Sequence, residues 1–176
     1  PISMGFKQTE TMMLIFLVNI AAAGGAFAWG HVQDRIGHRA ALAATLVGWI
    51  VMVALAVAAT GPALFWVAAV LAGLCMGSSQ SAGRALTGAL APVAQRAEFF
   101  GLWTFATRLA AIVGPLTYGA VTWATAGNHR LAIGCTGVFF VIGLWLLMRV
   151  DVARGETAAQ TADRLRAAPG AGGRGG

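Results

Sequence analysis

Apolar residues fall into five long runs, at about residues 11–29, 40–60, 64–86, 99–124 and 131–150. Each run is close to the roughly 20 residues that an α-helix needs to cross a bilayer core. The short alternating segments that build a barrel are absent. Lipid offers no hydrogen bonds to backbone N–H and C=O groups, so every span is expected to be helical. The second and third runs are separated only by Thr60-Gly61-Pro62-Ala63, where Gly and Pro stop both helices. The pattern predicts an all-α membrane protein whose five-helix transmembrane bundle covers residues 11–150. Residues 1–10 are expected to form an extracytoplasmic loop.

Composition agrees with the pattern. Of the 176 residues, 58% are hydrophobic and only 10% charged, against about 25% charged in an ordinary soluble domain. Beyond Val150 the chain becomes rich in Ala, Gly and Arg, with Leu165 its only large aliphatic after Val152. Such a segment buries too little apolar surface to offset its ordering entropy. Residues 151–176 are therefore expected to be a disordered cytoplasmic tail, with room for a short helix around 157–167. No cleavable leader is visible in PISMGFKQTE, and the chain starts with Pro, as a piece of a longer protein would.

The net charge of +6 does not point to nucleic acid, because the arginines cap apolar runs and no basic face is interleaved with aromatics. One side of the predicted bundle carries Arg35, Arg39, Arg84, Arg96, Arg149, Arg154, Arg164, Arg166 and Arg174; the other carries Lys7 and Arg130. Lys and Arg concentrate on the cytoplasmic side of membrane proteins. This places the 30–39 and 84–98 loops and the C-terminus in the cytoplasm.

The stretch GHVQDRIGHR concentrates charge between two apolar runs. Gly30 and Gly37 permit a tight turn, while Arg35 and Arg39 suit an anionic inner surface. Asp34 at the membrane edge needs a cation or a helix N-terminus to offset its desolvation. A solvated positive loop is the plain reading and a conformational latch the sharper one. In the third span Gly73 and Gly77 form a small-xxx-small pair. With Gln80 or Ser81 and Arg84 they give one small, polar stripe, suited equally to packing and to lining a cavity.

Arg108 is the most informative residue. Counted from Phe99 it lies roughly 14 Å into the fourth span, near mid-depth of a core about 30 Å thick. A charge there costs about 2.5–3.5 kcal/mol, so water, a ligand or a counter-charge must offset it. None of the six acidic residues lies mid-membrane. Snorkelling to the interface is the alternative. Gly114 and Pro115 follow on the same face and are expected to kink the helix, and Tyr118 and Thr122 continue its polar side. Asn19 reaches a similar depth in the first span. Asn19, Gln80, Arg108 and Tyr118 are thus candidate pathway residues, although packing hydrogen bonds alone would account for Asn19 and Gln80.

Catalytic and metal chemistry fare worse. Gly77-Ser78-Ser79-Gln80-Ser81 lacks the closing glycine of a nucleophile turn, and His31, His38 and His129 are all expected in loops. Cys75 and Cys135 lie in apolar runs, and no carboxylate cluster accompanies the histidines. No enzyme activity, metal or cofactor is expected.

The segments GHVQDRIGHR, GSSQSAGRALTGALAP, AEFFGLW, GPLTYG and GNHRLAIG, with the ending LLMRVDVARG, resemble the carboxy-terminal half of major facilitator transporters. Within that superfamily the similarity is to the vacuole-effluxer-like group, which includes a yeast autophagy-related vacuolar amino-acid effluxer and many bacterial members. It covers about residues 10–156. The resemblance implies that the five spans are the eighth to twelfth of twelve, forming most of one six-helix bundle. The opening loop would be the second copy of the superfamily motif, with Val32 and Gln33 in place of Leu and Ala and His38 in place of Arg. Arg84 matches a Ser-Arg position with Gly83 standing where Ser is usual, and Arg108 occupies a position where the group commonly has Lys.

The expected function is that of a fragment of a secondary active transporter moving a small solute, an amino acid or other organic anion, by alternating access. Its partners would be the lipid bilayer, the solute and a missing amino-terminal half, and its location the bacterial inner membrane. Gly30, Asp34, Arg35, Gly37, Arg39 and Arg84 would form the latch. The rival from another class is a non-transporting membrane scaffold or assembly subunit.

Overall fold

The computed structural model describes residues 8–167. Six α-helices follow one another: α1 (Gln8–Ile36), α2 (His38–Ala58), α3 (Pro62–Leu90), α4 (Arg96–Ala124), α5 (His129–Arg149) and α6 (Val152–Ala167), with a short 3-10 turn at Val93–Gln95 before α4. The first five are long and apolar enough to cross a membrane. The chain is an all-α, multi-pass membrane protein.

Glycine decides which helices meet. α1 and α3 pack most closely, backbone on backbone: Gly73 lies against the Val18 carbonyl, Gly77 against the Ala22 carbonyl, and a methyl on Gly25 would fall 2.5 Å from the Leu74 carbonyl. Without a hydrophobic drive in lipid, such close approach is what holds spans together, through dispersion and weak Cα–H···O contacts. The Val18–Gly73 and Ala22–Gly77 contacts advance together along both helices, so α1 and α3 run parallel.

α2 bridges this pair to α5. Val53 seats against Gly137, and Trp49 stacks on Phe140 with ring centroids 4.9 Å apart and planes 7° apart. The Trp49 indole N–H donates to Ser79 Oγ at 3.5 Å. α4 is different: it touches α5 and the nearer end of α3, and no residue along it is buried.

Several expected boundaries move. α1 continues through Ile36, so Gly30, His31, Asp34 and Arg35 are helical rather than in a loop. Charge does not break a helix, whose hydrogen bonds persist beyond the apolar run. The break falls at Gly37, whose φ of +81° only glycine adopts at little cost, and α2 begins at the next residue, His38. Arg84 likewise lies within α3, which extends to Leu90. Gly114 and Pro115 sit inside α4 without ending it, Pro115 leaving the Ala111 carbonyl without its helical donor.

The segment expected to be disordered is helical over Val152–Ala167. Val152 and Ala159 are buried, Gly155 abuts the Leu90 side chain, and Asp163 Oδ1 accepts the Val93 N–H at 2.9 Å. Alanine is the best helix former, and a face of small residues docks where large ones would not fit. Most of the expected extracytoplasmic loop, residues 1–7, and the end of the tail, 168–176, lie outside the described residues.

A candidate translocation face and the turn at the basic end

α4 presents three distinct sides. Trp103, Thr107, Thr117, Tyr118 and Val121 are half-buried on one side, with Gly114 among them opening onto free space. Leu102, Phe105, Leu109, Ile112, Leu116 and Trp123 form an exposed apolar side. Between these lie Thr104, Arg108, Ala111 and Pro115, an exposed row at spacings of four, three and four. The Thr104 hydroxyl donates to the Phe100 carbonyl at 2.8 Å, so it needs no other partner. Arg108 thus emerges mid-helix from a row of small residues, outside the contacts among the five spans.

The packing registers fix relative depth. Gly83 lies against Trp103 and Gly88 against Phe100, and carrying that antiparallel register onward sets Arg108 level with Gln80 to within about a turn. The parallel α1–α3 register sets Asn19 about six residues, or roughly 9 Å, farther from the basic end than Gln80. Gln80 is exposed in a row with Met76 and Arg84, while Gly73 and Gly77 of the expected stripe are buried against α1. The stripe therefore divides between packing and exposure. Asn19 is exposed too, its Nδ2 donating to the Ile15 carbonyl at 2.8 Å. Tyr118 lies toward the other end of α4, its hydroxyl 2.9 Å from His129 Nδ1 and its ring stacked on the imidazole.

At the basic end Asp34 and Arg35 are both exposed, on the last turn of α1. Arg84 reaches α4, its guanidinium carbon 5.4 Å from the centre of the Trp103 ring, a cation–π contact. Asp34 and Arg84, both expected in the latch, form no ion pair with each other in this conformation. Arg39 crosses to α5, donating through Nη2 to the Met148 carbonyl at 2.6 Å.

Beneath the turn, Gln33 is only 3% exposed. Its Nε2 pairs with His38 Nδ1, and the Trp29 indole N–H donates to the Ala41 carbonyl at 3.3 Å. Gln33 and His38 are two of the positions at which the loop departs from the superfamily pattern, and here they contact one another. Reading the motif residue by residue misses this; their spacing of five across a single-residue turn was the available signal.

Trp103, as the seat of Arg84, and Asp163, as a cap for the entry to α4, were also not singled out from sequence. No group of three or more His, Cys, Asp or Glu that could hold a metal exists among the described residues.

Comparison with known proteins adds the following. Residues 2–160 match the family described as "Vacuole effluxer Atg22 like". The chain is 26% identical over 162 residues to the "Uncharacterized MFS-type transporter YxiO" of Bacillus subtilis, covering 92% of this chain and 38% of that protein. It is 27% identical over 172 residues to "Autophagy-related protein 22-1" of Penicillium rubens, covering 89% and 28%. To "Autophagy-related protein 22" of Cryptococcus neoformans it is 34% identical over 102 residues, covering 57% and 18%. The chain therefore spans well under half the length of these relatives.

Proposed function

The chain belongs to the vacuole effluxer Atg22-like family, and from that premise we propose that it is the carboxy-terminal half of a secondary transporter. Its five spans would supply most of one six-helix bundle, with the amino-terminal half of the same protein closing the other side of a midplane cavity. The basic ends would face the cytoplasm of a bacterial cell, with the C-terminus on that side.

The observation that carries this reading is the row Thr104, Arg108, Ala111 and Pro115. A permanently charged guanidinium is mounted mid-span, between small residues that leave space beside it. A packed apolar surface gains nothing from that arrangement, whereas a cavity binding an anionic group does. We assign Arg108 to the solute's carboxylate, or to a proton-carrying acid in the other half, with Gln80 at the same depth and Asn19 and Tyr118 toward the outer end.

Opening and closing would exchange partners at the basic end. In the present conformation Arg84 rests on Trp103; in the alternative one it would pair with Asp34, with Gly30, Arg35, Gly37 and Arg39 holding the turn. The solute class this chemistry suits is an amino acid or another small organic anion.

In the full-length protein, Arg108→Gln should abolish uptake or efflux of the solute while membrane insertion stays normal, and Arg108→Lys should retain part of it. Unchanged transport in Arg108→Gln removes the residue from the pathway. Cysteine accessibility scanning over residues 104–118 separates this reading from a packed scaffold: a scaffold would protect position 108 from aqueous label.

A further inference from the structure

A groove of about 750 Å³ opens at the basic end, where the α1–α2 turn meets the α5–α6 joint. Its volume falls within the range of small-molecule sites. Ile36, Ala40, Ala43, Met148 and Val152 give it apolar walls, and His38, Arg39, Asp151 and Glu156 supply its polar groups.

The position of the groove is set by two markers. Arg149 folds back over Trp145, its guanidinium carbon 4.7 Å from the ring centre, and Trp145 is 55% exposed. An exposed tryptophan under an arginine at the end of a span sits at headgroup level. From the groove, Ala40, Ala44, Val47 and Val51 run down α2 as a continuous exposed stripe. The site therefore has a polar mouth among headgroups and a smooth apolar track into the hydrocarbon.

The polar groups carry both signs. Arg39 is held in place by the Met148 carbonyl, leaving its other N–H groups to donate. Beside it the first turn of α2 has no side-chain cap and no acidic residue. On the opposite wall Glu156 is half-buried and without a hydrogen-bond or ion-pair partner among the described residues, while Asp151 Oδ1 accepts the Arg154 N–H at 3.0 Å. One wall suits a phosphate and the other suits an ammonium group. We propose that this groove binds a phosphoethanolamine lipid of the leaflet that the basic ends face. Its phosphate lies at Arg39, its ammonium group at Glu156, and an acyl chain follows the α2 stripe.

The lining discriminates among headgroups. A primary ammonium donates hydrogen bonds to a carboxylate, which a quaternary choline cannot do. An anionic headgroup of the glycerol type would offer Glu156 only neutral hydroxyl donors, and its net negative charge would meet the carboxylate's repulsion. The proposal rests on the membrane reading above but not on transport, so Arg108→Gln and the lipid test fail separately.

The test uses the full-length protein, released from nanodiscs holding equal amounts of phosphatidylethanolamine, phosphatidylcholine and phosphatidylglycerol, with retained lipid identified by native mass spectrometry. Ethanolamine lipid should be enriched over choline lipid by about tenfold, the scale of one charge-assisted contact. Glu156→Gln, which keeps the side chain's shape, should bring the ratio close to one. Ala40→Phe, which obstructs the track, should reduce total retained lipid. Amide exchange across 152–167 checks that α6 stays folded in each variant. Equal retention of the three lipids, preferential retention of the glycerol lipid, or an ethanolamine preference unmoved by Glu156→Gln would each overturn the assignment.

Discussion

Two adjacent glycines in α1 provide a sharp test of the fold. Gly24 has open space around it, whereas a methyl on Gly25 would lie 2.5 Å from the Leu74 carbonyl oxygen, 3.0 Å from its Cα and 3.1 Å from its carbonyl carbon. All three atoms are backbone, so no rotamer change relieves the clash. Ordinary contact is about 3.5 Å, so α1 and α3 must part by about 1 Å, a gap that forfeits a quarter to a half of each dispersion well along the seam. Overpacking of this kind costs about 1–3 kcal/mol. Gly24→Ala meets nothing and gains helix propensity of about 0.5–1 kcal/mol. The two variants should therefore differ by roughly 2–4 kcal/mol, although they insert the same methyl one residue apart. Unfolding of the full-length protein in mixed detergent micelles, followed by tryptophan fluorescence, measures the difference. Midpoints equal within about 0.5 kcal/mol, the ordinary range of surface substitutions, would refute the backbone-on-backbone seam.

Asp163→Ala should free the Val93 amide and speed its hydrogen exchange, with that of neighbouring residues at the entry to α4, at a cost of about 1 kcal/mol; unchanged exchange there would sever α6 from the α3–α4 connection. Asn128 caps α5 by accepting the Leu131 N–H at 3.1 Å, so Asn128→Ala should cost about 1 kcal/mol in detergent unfolding, and Asn128→Asp should recover most of it. Tyr118→Phe removes the hydroxyl that meets His129 and should lower stability by about 0.5 kcal/mol, with a shift in the His129 ring signal by NMR as the direct readout.

The five spans were legible because hydrophobic runs of bilayer length have few alternative explanations. Their ends were not. A hydropathy reading stops at Gly30, where charged residues begin, but the helix stops at Gly37, where backbone conformation demands it. The helix of the tail was hidden for a related reason. Val152, Gly155 and Ala159 form too slight an apolar face to predict a docked helix alone, and only the surface near Leu90 gives it somewhere to bind. Within the candidate site, the mid-helix position of Arg108 followed from counting along one helix. The splitting of the Gly73–Gly77–Gln80–Arg84 stripe into a packed part and an exposed part depends on where α1 lies, which no local spacing reveals. The Arg84–Trp103 contact joins residues nineteen apart across a hairpin, and its register depends on the 3-10 turn at Val93–Gln95.

That α4 buries none of its residues against the other spans has a consequence for biogenesis. Produced without the rest of the protein, this segment would display an arginine-bearing helix gripped along a single edge, the kind of orphan that membrane proteases extract. If the proposed amino-terminal half covers it, the same helix would settle only when that half arrives, and the timing of that encounter would govern how much protein survives to maturity.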